Sequence, residues 1–137
     1  MAAKMTNKYN PRYLGMDARL KNRIEAFIRS YDLLQAQAET LLQRSKPIDG
    51  QPRGGAPGDP VAAAAIQREK VLEDIKAIDT ALEIIPQEYR AVTWEWCAKG
   101  VPLYLCKGSE YAHANTWKRY RKEFLTQVAI NKGWWIE

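Results

Sequence analysis

The stretch Asp17–Gln43, DARLKNRIEAFIRSYDLLQAQAETLLQ, decides the fold class. Leu20, Ile24, Phe27, Tyr31, Leu34, Ala38 and Leu41 follow one another at spacings of 4, 3, 4, 3, 4 and 3. Residues at that spacing share one side of an α-helix, and Ile28, Leu33 and Leu42 widen the apolar stripe. Asp17 is placed to cap the N-terminus, and neither Gly nor Pro interrupts the segment. One long helix is predicted over Asp17–Gln43.

A second seam mirrors the first. Val61, Ala64, Arg68, Val71, Ile75, Ile78, Leu82 and Ile85 are spaced 3, 4, 3, 4, 3, 4 and 3, with Arg68 the single polar member. Asp59 followed by Pro60 is a helix start, a cap and then a residue preset for the first turn. The connection Lys46–Pro60, KPIDGQPRGGAPGDP, holds four Gly and four Pro, a composition that neither propagates a helix nor packs a core. Two helices joined by such a flexible loop, here 44–60, fold back most simply as an antiparallel hairpin. Their seams pair either within one chain or between two chains, and the second arrangement makes a homodimer.

Pro86 closes the second seam and opens a third helix, Gln87–Lys99, with Tyr89, Val92 and Trp96 apolar and Gly100 as its stop. The short run Val101–Gly108, VPLYLCKG, fits a strand, an extended turn or a single helical turn equally well. Asn115–Asn131 then reads as a helix ended by Gly133, and Trp134, Trp135 and Ile136 form an apolar tail expected to dock back. The predicted architecture is mainly α. It comprises an N-terminal arm (1–16), a helical hairpin (17–85) and a small helix-turn-helix-like module (86–137).

The net charge of +5 is unevenly placed. Lys4, Lys8 and Arg12 make the first sixteen residues basic, the segment from Val101 is basic again, the loop 44–60 carries one excess cation, and the rest is balanced or acidic. Any bound anion is therefore expected at the termini. With 46% hydrophobic and 27% charged residues the composition is that of a globular protein rather than a disordered tail. No apolar run approaches the roughly 18 residues of a membrane span, and the start lacks a signal-peptide core. Two cysteines make no disulfide framework, so a cytoplasmic protein is expected.

On the helix Asn115–Asn131, Trp117, Tyr120, Phe124 and Val128 fall in one arc and are expected in the core. Asn115, Lys118, Arg119, Lys122 and Thr126 fall in a neighbouring arc, with Arg121 beside the core edge. Lys and Arg neutralise phosphates and donate to guanine, Asn pairs with adenine, and a helix fits the major groove. A surface helix more commonly carries such charges as a solvated face. Here, however, Lys118 and Lys122 lack an acid one turn away that would make a helix-stabilising pair, and only Arg119 has one, Glu123. Asn115, Lys118, Arg119, Arg121, Lys122 and Thr126 are the predicted contacts to double-stranded DNA.

Two segments carry a family resemblance. Ala81–Trp96, ALEIIPQEYRAVTWEW, resembles the leucine-proline-arginine signature that opens region 4 of sigma-70-type factors, through Leu82, Ile85, Pro86, Arg90 and Val92. Ala114–Ala129, ANTWKRYRKEFLTQVA, resembles the recognition helix of that region. The layout from about Arg29 onward is more similar still to the RinA- and ArpU-like late-gene activators of phages and prophages of Gram-positive bacteria. The interval Val101–Ala114 departs from the family pattern, because Pro102 and Gly108 break its supporting helix. The resemblance implies promoter binding, transcriptional regulation and contact with host RNA polymerase. A phage DNA-packaging protein of the small-terminase type and a non-enzymatic helical adaptor are the alternatives.

No catalytic, metal or cofactor site is predicted. Cys97, Cys106 and His113 lack the paired short spacing and the fourth ligand of a structural zinc site. RGGAPGDP, Arg53–Pro60, lacks the Lys-Ser/Thr ending of a phosphate loop. Glu69, Glu73, Asp74 and Glu83 sit beside Lys70 and Lys76 as a solvated face, while Glu88 and Glu95 neighbour the packing residues Trp94 and Trp96.

Overall fold

Two aspartates start helices here, each by accepting a backbone N–H that the first turn leaves unpaired. Asp17 Oδ1 accepts from the Leu20 amide at 2.8 Å, and Asp59 Oδ1 accepts from the Val61 amide at 2.9 Å. The computed structural model describes residues 17–46 and 59–135. The basic arm, the centre of the Gly/Pro connection and Ile136 therefore lie outside the described residues. Within them are five α-helices, α1 (Ala18–Arg29), α2 (Tyr31–Ser45), α3 (Pro60–Glu83), α4 (Gln87–Ala98) and α5 (Ala114–Asn131). Single 3-10 turns stand at Leu103–Leu105 and Ser109–Tyr111, and no strand occurs among the described residues.

The chain is mainly α, but the first helix is not continuous. Ser30 has φ −82° and ψ 3°, well away from the helical ψ of about −42°. Serine, whose hydroxyl competes for backbone groups, tolerates such a corner. The Leu34 amide still reaches the Ser30 carbonyl at 2.8 Å. The break coincides with a division of the chain into two units, one formed by residues 30–76 and the other by the residues before and after them. The units thus divide at 29/30 and 76/77, whereas the sequence pattern places a boundary at 85/86. α1 packs on α4 and α5, and the last turns of α3 belong with them.

In the unit of residues 30–76, Leu34, Ala38 and Leu41 of α2 and Ala64 of α3 are buried. Arg68, the polar interruption of the second seam, donates through Nε to the Ala38 carbonyl at 3.2 Å. Its charge replaces no apolar neighbour; it reaches across to a backbone acceptor. Leu33 and Ile66 remain 60% and 58% exposed.

In the other unit α1 contributes Ile24 and Ile28, both 0% exposed. Phe27 meets Trp134 edge-on at 5.3 Å, so the tail docks on α1, with the Arg23 guanidinium 3.9 Å from the centre of that indole. Arg90, the arginine of the IPQEYR motif, donates to the carbonyls of Ile85 (2.7 Å) and Glu83 (2.9 Å) and so closes the end of α3. Gly133, at φ +73°, ends α5. Its amide bonds Ile130 O at 3.0 Å and the Trp134 amide bonds Ala129 O at 2.9 Å, the pair of bonds of a Schellman cap.

Ile28 tests the assignment of α1 to this core. Ile28→Ala is expected to lower unfolding free energy by about 2–5 kcal/mol in urea titrations. A loss below about 1 kcal/mol, within the scatter of surface substitutions, would contradict it.

Candidate nucleic-acid interface

α5 acquires its orientation from what it buries. Trp117 is 1% exposed and packs with Val92 of α4 and Cys106 of the connection. Its indole N–H donates to the Ser109 carbonyl at 2.7 Å, tying the connection to the helix. Gly108 turns the chain there at φ +95°, and the Val92 side chain lies 3.6 Å from where a Cβ would stand. The connection is therefore two 3-10 turns held against the core, rather than the tight turn of a helix-turn-helix. His113 precedes α5 in an extended conformation, and its Nδ1 accepts the Asn115 amide at 3.0 Å. The predicted helix start at Asn115 moves one residue earlier, with histidine as its cap.

Seven residues of α5 are buried: Trp117, Tyr120, Phe124, Leu125, Thr126, Val128 and Ala129. Five of them, Phe124 to Ala129, crowd the second half of the helix. Asn115, Lys118, Arg119 and Lys122 are exposed. The seven steps from Asn115 to Lys122 rise about 10 Å along the axis, close to three base-pair steps of a duplex. Lys118 and Lys122 make no ion pair among the described residues, and the Arg119 guanidinium lies 4.9 Å from the Tyr120 ring centre.

Two of the predicted contacts belong elsewhere. Thr126 is 0% exposed and its hydroxyl has no hydrogen-bond partner, so it is a core residue and leaves the DNA face. The helical wheel places it one turn beyond Lys122, but there the flanking Leu125 and the preceding Phe124 are buried as well. Arg121 is held by an ion pair with Glu25 of α1, with its guanidinium 5.0 Å from the Trp96 ring centre. Both charges are about four-fifths shielded, and the pair joins α1 to α5 rather than facing solvent. The structure thus brings together four of the six predicted residues.

Sequence reasoning missed Glu25, whose partner lies 96 positions away. It also missed Tyr104 and Leu105, 81% and 62% exposed on a turn fixed by backbone bonds. The alternating apolar run around them carries no signal of which members face out.

Cys97, Cys106 and His113 are engaged separately. Burial pushes the Cys97 thiol up to about 12, with the neighbouring Arg121 opposing the shift. Burial also raises the Cys106 thiol, whose Sγ lies 3.6 Å from the Val101 carbonyl and 3.5 Å from the Pro102 carbonyl. Both stay protonated at neutral pH, where a nucleophile or a metal ligand must be thiolate. Among the described residues no three of His, Cys, Asp and Glu come together as metal ligands, and no helix is long and apolar enough to cross a membrane.

The placement of Thr126 has a direct check. Thr126→Val removes a buried hydroxyl without a partner while keeping the shape, so stability is expected to hold or rise by about 1 kcal/mol. Binding to a duplex measured by fluorescence anisotropy is expected to be unchanged. A selective loss of DNA affinity with stability intact would return Thr126 to the interface.

No protein-family model, no curated protein and no solved structure matches the chain.

Proposed function

We propose that this protein is a DNA-binding transcriptional regulator that reads duplex DNA with the start of α5. One observation carries the reading: Asn115, Lys118, Arg119 and Lys122 share an exposed face in the first turns of a helix whose later turns supply most of its buried residues. An N-terminal helical face with an amide and unpaired cations suits the major groove, where cations offset phosphates and an amide or guanidinium reads base edges. The pinned connection and α4 brace that end of the helix, the part a supporting helix plays in a helix-turn-helix. The likeness to phage late-gene activators extends the proposal to late-gene promoters and to contact with host RNA polymerase. The pair formed by α2 and the first part of α3 is the proposed hairpin. Its exposed Leu33 and Ile66 suit contact with a second copy.

The test is anisotropy titration of a 30-base-pair duplex, first from a random library enriched on the protein and then across a series of salt concentrations. Lys118→Ala and Lys122→Ala are each expected to weaken binding and to reduce the salt slope by about 0.9 if the contact is to phosphate. A triple charge reversal at Lys118, Arg119 and Lys122 that binds as tightly as the parent would refute the assignment, as would the absence of any enriched duplex.

A further inference from the structure

Three phenols converge beside the proposed face. Tyr89, in the first turn of α4, lies 4.6 Å from Tyr120 of α5 and 5.5 Å from Tyr111 of the connection, measured between ring centres. The buried indole of Trp117 closes the group from below, edge-on to Tyr89 at 5.3 Å. Arg119 flanks it, with its guanidinium 4.9 Å from the Tyr120 ring centre.

Packing accounts for the rings but not for the hydroxyls. Among the described residues none of the three phenol oxygens has a hydrogen-bond partner. Tyr111 is also 64% exposed, so its ring covers little that a smaller residue would leave open. The Tyr89 phenol is raised, first by burial, then by Tyr111, Tyr120 and Glu88, while Arg119 opposes the shift. At neutral pH the Tyr89 phenol is therefore an O–H donor. Fixed hydroxyl donors next to a guanidinium suit a phosphate oxygen, an acceptor without protons of its own.

Glu88, on the same turn as Tyr89, repels a small free anion. The occupant must then be a phosphate delivered by something already bound, and α5 starts at this edge. We propose that Tyr89, Tyr111 and Arg119 grip one backbone phosphate of the duplex that α5 reads, fixing the helix in register without reading sequence. The inference rests on the DNA-binding reading and assigns Arg119 to the backbone, leaving Asn115, Lys118 and Lys122 for the groove.

The experiment titrates the full chain against a fluorescein-labelled 30-base-pair duplex of mixed sequence at several salt concentrations. Tyr89→Phe and Tyr111→Phe keep the rings and are each expected to weaken binding roughly five- to tenfold with the salt slope unchanged, because no charge is removed. Arg119→Gln is expected to reduce the slope by about 0.9, and combining it with Tyr111→Phe to cost less than the two losses added. Phenylalanine variants that bind like the parent, while Lys122→Gln binds less well, overturn the phosphate grip and leave the DNA reading standing. No binding by the parent overturns both. If a phenylalanine variant melts at a lower temperature, single methylphosphonate substitutions along each strand decide. One position must weaken the parent and leave Tyr111→Phe unaffected, and the absence of such a position overturns the inference.

Discussion

The indole of Trp117 is the constraint on which the C-terminal half depends. A large aromatic surface is stable when removed from water, but its N–H then needs an acceptor. Ser109 supplies one, and this bond forces the connection after α4 to lie along α5 instead of looping into solvent. Val92 and Cys106 complete the cluster around the ring. With Trp117 inward, the rotation of α5 is set, and Lys118, Arg119 and Lys122 have no side but the outer one.

α1 packs on α5 as well. Ile24 and Ile28 seal it against the core, Glu25 takes Arg121, and Phe27 takes the Trp134 ring of the tail. Asn131 adds a polar tie, donating to Ala77 O at 2.9 Å and to Thr80 Oγ1 at 3.1 Å at the end of α3. Beyond Lys122 the exposed residue of α5 is Asn131, which that tie engages. The cations of α5 end at Lys122, and with Asn115 the exposed ones form a patch about 10 Å long.

Much of the fold was legible because helices announce themselves locally. Asp17 and Asp59 cap where expected, Gly133 ends α5, and the stripe Trp117, Tyr120, Phe124 and Val128 is buried throughout. What was not legible depends on partners distant in sequence. Arg121 looks like any surface cation until Glu25 arrives from α1, and Thr126 looks polar until tertiary packing buries it. Ser30 is one weak helix former among strong ones, so the break there reflects tertiary packing on either side more than its own propensity. For the same reason the division of the chain escapes a reading by segments. The seam of Leu20–Leu41 is continuous in sequence, yet Ile24 and Ile28 serve one unit while Leu34, Ala38 and Leu41 serve the other.

The central claim is that a single short face of α5 meets DNA. Amide chemical shifts of the isotope-labelled full chain, followed while an enriched 30-base-pair duplex is added, test it most directly. The account predicts that the largest changes fall on Asn115–Lys122 and on Tyr89 and Tyr111, with little change from Leu125 to Asn131. Changes confined to α2 and the first half of α3, or spread along the whole of α5, would contradict it.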